Sequence, residues 1–149
     1  MHILGINAYH GDSSACILKN GMVIAASEEE RFKRIKHWAG FPTEAIKFCL
    51  QEAGISVAEL DYVTISRNPK ANFSKKVLHS FKNRVGLKAI FDRLTNSRKV
   101  SSIKEELAKV FSVHPSIIKA EFHNIEHHRS HIASSFFASR FESSAILSI

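Results

Sequence analysis

Apolar and polar residues change their spacing several times along the chain, and each change marks an element. Residues 2–8 alternate weakly and are rich in Ile and Leu, which predicts a strand. A polar tip follows, then the apolar run Ala15-Cys16-Ile17-Leu18, then Asn20-Gly21, then Met22-Val23-Ile24-Ala25-Ala26. Asn-Gly between two apolar runs predicts a hairpin, because a type I′ turn needs positive φ at both central residues. Three strands therefore open the chain as a meander. The third gives way to the charged run from Glu28 to His37, read as a loop or short helix. Pro42 suits the first turn of a helix, where its missing N–H is not needed. Ala45, Ile46, Cys49, Leu50 and Ala53 then share one helical face, and Gly54 supplies the stop. Ser56 and Glu59 have the spacing of a capping box, and Asp61 to Ser66 reads as a fourth strand.

Beyond the fourth strand, Phe73, Val77, Leu78, Phe81, Val85, Leu87, Ile90, Phe91 and Leu94 recur near helical spacing. They predict a helical insertion at 67–104. Residues 102–112 predict another helix with Ile103, Leu107, Val110 and Phe111 inward. Residues 120–126 should run extended, His128 to Ala138 should be helical, and Ser144 to Ile149 should begin a last strand. An apolar strand ending without a polar tail predicts an incomplete fragment.

Composition sharpens two points. The 149 residues, 44% of them hydrophobic, suffice for one domain with a buried core. The net charge of +7 is uneven: residues 67–104 hold eleven Lys/Arg against the single acid Asp92, a local +10. Such asymmetry fits either an anionic partner or a solvated insertion. Phe73, Phe81 and Phe91 sit at a spacing that favours packing over base stacking, so the segment is read as an insertion and not as a sequence-specific nucleic-acid reader. Cys16 and Cys49 form no Cys-x-x-Cys pair and are expected to be buried thiols in a reducing compartment. The first residues lack a basic n-region, and no run approaches the roughly 18 apolar residues of a membrane span. A cytoplasmic location with no membrane partner is expected.

Three clusters carry candidate chemistry. The tip His10-Gly11-Asp12-Ser13-Ser14 combines a glycine that permits close backbone approach with groups able to hold phosphate oxygens. It also fits an ordinary polar turn. His127 and His131 lie four apart, so on a helix their rings share a face and can grip one cation. His123 and His127 have the same spacing, and partly buried structural histidines fit both pairs. In Glu28-Glu29-Glu30-Arg31-Phe32 with Lys36-His37, the Lys and Arg can neutralise a phosphate or developing oxyanion, or the run forms a solvated face.

Taken in order, Gly5 to Ala15, Glu28-Glu29-Glu30-Arg31-Phe32, Lys36-His37 and His127-His128-x-x-His131-x-Ala133-Ser134 closely resemble the O-carbamoyltransferase family. That family includes nodulation-factor enzymes and enzymes that carbamoylate aminoglycoside and cephalosporin-type antibiotics. The resemblance covers both ends of the chain, and residues 67–104 add little to it. It implies an α/β architecture, the first half of an actin/Hsp70-like ATPase (ribonuclease H-like) fold with a mixed sheet and flanking helices. Residues 1–149 would be the N-terminal lobe of the carbamoyl-transfer domain. A separate adenylate-forming domain, which joins carbamoyl phosphate and ATP into carbamoyl adenylate, would lie outside this chain.

The same resemblance implies residue roles. His127 and His131 would be metal ligands, to Fe²⁺ in this family, although their spacing alone admits another divalent metal. Further carboxylate ligands would lie beyond Ile149. His10 would be the base that helps deprotonate the acceptor hydroxyl, although here Gly11 separates it from Asp12 where some members place His and Asp adjacent. Gly11, Asp12, Ser13 and Ser14 would contact phosphates, and Lys36 the phosphate or carbamoyl oxygen. The partners would be carbamoyl phosphate, ATP and a hydroxylated acceptor, and the chain alone would be inactive. Rival readings are a tRNA threonylcarbamoyl transferase, against which the triple-Glu run and Lys36-His37 argue, a nucleic-acid-binding module, and a structural fragment without ligands.

Overall fold

A computed structural model of the chain describes residues 1–66 and 103–147. Of the helical insertion expected at 67–104, residues 67–102 lie outside this described part, as do the last two residues. The strands are β1 (His2–Asn7), β2 (Ser14–Lys19), β3 (Met22–Glu28), β4 (Tyr62–Ile65) and β5 (Glu121–Asn124). They form one five-stranded sheet in the order β3-β2-β1-β4-β5. β1 pairs antiparallel with β2 and β2 with β3, whereas β4 runs parallel to both β1 and β5. The helices are α1 (Glu30–Lys33), α2 (Thr43–Ala53), α3 (Ile103–Val110) and α4 (His127–Phe137). This is the expected mixed α/β sheet with flanking helices, an antiparallel meander extended by parallel strands.

Local code explains most of these elements. Asn20 and Gly21 hold φ of 51° and 85°, the left-handed pair that the hairpin requires. Gly54 ends α2 in the left-handed conformation, its N–H donating to the Gln51 and Leu50 carbonyls. Pro42 sits one residue before α2 and caps it with no side chain. The Ser56–Glu59 capping box forms, around a single 3-10 turn at Val57–Glu59.

Alternation divides the sheet into two unlike faces. Leu4, Ile6, Ala8, Ala15, Ile17, Val63 and Ile65 face the core, where Ala45, Ile46, Cys49 and Leu50 of α2 and Ile103, Leu107 and Ala108 of α3 cover them. The opposite face carries small or polar residues: Gly5, Asn7, Ser14, Cys16, Ala26, Glu28, Thr64 and Ser66. A Cβ on Gly5 would lie 2.8 Å from Cys16 Sγ, so glycine there makes room for the neighbouring thiol. Both cysteines are free, but only Cys49 is buried; Cys16 borders this polar face.

The expected final strand does not form within the described residues. Residues 144–147 have no regular structure, and Leu147 is 82% exposed. A strand exists only by pairing, and none of the ladders among the described residues includes 144–147.

Candidate functional site

The site begins where β1 turns into β2. Asn7 Nδ2 donates to the Asp12 carbonyl at 3.1 Å and clasps the tip, and Ser66 Oγ donates to Asn7 Oδ1 at 3.1 Å. The tip is also sewn to residues 38–40. Ser13 N–H donates to the Trp38 carbonyl at 2.9 Å, and Tyr9 N–H to the Gly40 carbonyl at 3.2 Å. Ser13 is fully buried, and its hydroxyl reaches the Gly40 carbonyl at 2.8 Å and the His10 carbonyl at 3.1 Å. The Ser13 side chain therefore faces inward and holds the two loops together. Ser14 begins β2, opposite Asn7 and Glu28, on the polar face. His10, Gly11 and Asp12 form the outward part of the tip.

His10 points across to α4. Its ring centroid lies 5.3 Å from that of His127. Its Nδ1–H donates to the Gly11 carbonyl at 3.1 Å, which in the neutral ring leaves Nε2 as the proton acceptor. Helix α4 brings His127 and His131 together as the spacing predicted, with ring centroids 4.6 Å apart and Nε2 atoms 3.2 Å apart. Two nitrogens bound to one ion at about 2.1 Å, at angles between octahedral and tetrahedral, are separated by about 3.0–3.4 Å. The pair thus fits one cation. Among the described residues no group of three or more His, Cys, Asp or Glu is arranged to hold a metal. The rival pair is broken up: His123 lies in β5, against Tyr62 and 3.3 Å from Glu121. Glu126 caps α4 by accepting the Arg129 N–H at 2.9 Å, and this bond holds its carboxyl below the ordinary range.

The glutamate run separates into three roles. Glu28 borders the polar face. Glu29 is fully buried, and its Oε2 accepts the Ala45 N–H at 2.8 Å, supplying the cap that Pro42 cannot give α2. Glu30 opens α1 and accepts the His37 N–H at 3.1 Å. His37 Nδ1–H in turn donates to Asp12 Oδ1 at 2.8 Å. That bond, reinforced by the Asp12 charge, raises the His37 pKa. Lys36 is exposed and makes no hydrogen bond or ion pair within the described residues.

Between the polar sheet face and α4 lies a cleft of about 590 Å³, bordered on the helix side by Ser130 and Ser134. Partial burial raises the Cys16 thiol and burial pushes Cys49 up to about 11, so neither is a ready nucleophile.

The model of the carbamoyltransferase N-terminus family matches residues 2–149. The chain belongs to that family. Nodulation protein NolNO of Sinorhizobium fredii is 32% identical over 96% of this chain and 20% of its own length. An uncharacterized Synechocystis protein is 39% identical over 98% of this chain and 25% of its own length. The chain thus spans a quarter or less of the length of these relatives. Among solved structures, YeaZ from Pseudomonas aeruginosa aligns over 90% of this chain and 49% of its own, with 14% identity and a TM-score of 0.46. No helix among the described residues is long and apolar enough to cross a membrane.

Two contributors escaped the sequence reading. Glu29 looked like one more solvated charge, and nothing in its spacing marks it as a cap for the Ala45 N–H sixteen residues downstream. The Asp12–His37 bond joins two loops, and only the adjacent Lys36-His37 motif hinted at it.

Proposed function

We propose that this chain supplies the hydroxyl-activating part of an O-carbamoyltransferase that moves a carbamoyl group from carbamoyl adenylate to a hydroxylated sugar or natural product. The observation that carries the reading is the approach of His10 to His127, which brings the phosphate-type tip and the paired imidazoles to one place. The adenylate would arise from ATP and carbamoyl phosphate in a further domain of the parent protein. His10 Nε2 takes the acceptor hydroxyl proton, the oxygen attacks the carbamoyl carbon, and the C–O bond to AMP breaks with its electron pair leaving on the phosphate. The tip backbone at Gly11 and the Lys36 ammonium hold the phosphate oxygens meanwhile.

His127 and His131 would hold a divalent ion, Fe²⁺ by family resemblance, which when bound supplies positive charge to polarise an oxygen of the substrate. The parent protein, given ATP, carbamoyl phosphate and a panel of hydroxylated acceptors, should release AMP and form a carbamate ester. No AMP or pyrophosphate from any acceptor rules the reading out.

A further inference from the structure

Asp12 and His37 remain without a task in that scheme, yet the chain spends strain to join them. Four non-glycine residues in the two stitched loops hold left-handed backbone: Tyr9 (φ 59°), Asp12 (62°), Arg34 (57°) and His37 (56°). Such residues cluster where a site needs its geometry fixed. Asp12 takes the Nδ1–H of His37, Glu30 takes its backbone N–H, and Nε2 makes no hydrogen bond within the described residues. The His37 side chain is 80% exposed.

A structural role explains this poorly. An exposed ion pair adds little stability, and the buried Ser13 bonds to Trp38 and Gly40 already hold the same loops together. What the pair does accomplish is to aim one nitrogen outward, beside the tip. His10 reaches His127 from that tip, and Asp12, two residues on, reaches His37. The tip is thus flanked by a histidine system on each side.

We propose that His37 is a substrate-contacting proton donor, held by Asp12 and Glu30 so that its Nε2–H is offered to an anionic phosphoryl oxygen lying on the tip. The carbamoyl-transfer reading supplies the identity of that oxygen, in carbamoyl phosphate or the adenylate, but the contact itself follows from the loop geometry. In the transfer step the acceptor proton goes to His10, the new C–O bond forms and the old one breaks. The departing phosphate oxygen receives the His37 hydrogen bond, with no additional reactant. The charged groups that act on the imidazole are the acids Asp12 and Glu30, and the bases Lys33, Arg34 and Lys36 lie within four residues of it along the chain. The carboxylates raise its pKa, which keeps the ring protonated further toward neutral pH.

The test is ¹⁵N NMR of the histidine rings during titration with inorganic phosphate, AMP and carbamoyl phosphate in separate arms. The His37 Nε2 signal should shift saturably with at least one of them, and the arm that shifts it most identifies the phosphoryl source. His37→Asn suits the left-handed backbone and should weaken that ligand by roughly tenfold, the loss of one charge-assisted bond. Asp12→Asn should lower the His37 titration midpoint. A His37 signal silent in all three arms, or unweakened binding in a folded His37→Asn protein, overturns the proposal. The two readings fail separately. A responsive His37 in a parent protein that makes no carbamate sinks only the transfer chemistry. Unchanged carbamoylation with a silent His37 sinks only the contact.

Discussion

Gly11 distinguishes what the fold needs from what a ligand needs. Its φ is not in the left-handed region, and a Cβ built on it meets nothing within 4 Å. The protein therefore gains nothing from glycine there, whereas a phosphate lying on bare backbone does. Gly11→Ala should leave stability unchanged or raise it by about 0.4–1 kcal/mol through the unfolded chain. The same change should weaken phosphate or nucleotide binding by roughly tenfold. Thermal unfolding and calorimetry on one variant check both halves. Glu29 makes the opposite case, since it serves the fold. Glu29→Ala removes the cap of α2 and should cost about 1–2 kcal/mol, read as a lower denaturant midpoint with an unchanged slope. The Asp12–His37 pair adds a pH dependence whose sign is fixed. A raised His37 pKa means that its contribution is complete below the ordinary histidine value of 6.5 and is lost as pH rises through the folded value.

At the scale of elements, α4 offers the clearest test. Two imidazoles fill only part of a coordination shell, so Zn²⁺ binding by this chain should be no tighter than about micromolar. Calorimetry should find that His127→Ala with His131→Ala abolishes it, and persistence of binding would remove the pair from the site. Glu126 has a lowered pKa, so its cap is present above the ordinary carboxylate value and is lost as pH falls through the lowered one. Amide exchange in the first turn of α4 should therefore quicken in acid before the rest of the helix responds.

This scale also explains what the sequence disclosed. The Asn20-Gly21 hairpin, the Gly54 stop and the Ser56–Glu59 box were legible because each is decided by residues within a few positions of one another. The His127–His131 pair was legible for the same reason, one helical turn being local geometry. The run at 144–147 forms no strand within the described residues because pairing is not local, and its apolar residues could not reveal whether a partner strand lies beside them. The Asp12–His37 bond was hidden because it depends on left-handed turns that no glycine announces.

For the molecule as a whole, the two faces of the sheet set the division of labour. One face is closed by α2 and α3, and the other is kept small and polar by Gly5, Ser14, Cys16 and Thr64. The basic stretch 67–104 carries the charge that offsets an otherwise acidic chain. Its attraction to any polyanion should collapse with salt, by roughly a thousandfold between about 50 and 200 mM for about six phosphate contacts. Competition binding near 150 mM salt, where the screening length is about 8 Å, should show no strong preference for one sequence. Tight binding to one RNA or DNA that random competitor cannot displace would favour the nucleic-acid reading instead.

The contact between His10 and His127 has a consequence in time as well as in space. The β1–β2–β3 meander closes through neighbouring hairpins, but β4 and β5 join it only after long loops have been shut. Contacts of large sequence separation pay their closure entropy before they return any energy, and so they form late. Helix α4 follows β5 in the chain, packs no buried residue of its own, and holds His127, the ring that His10 approaches. The candidate site should therefore be the last part of the described chain to assemble and the first to come apart. Substitutions in α4 should accelerate unfolding while leaving the folding rate nearly unchanged, the kinetic signature of structure absent from the transition state. A stopped-flow chevron whose folding arm slows instead would place α4 in the folding nucleus.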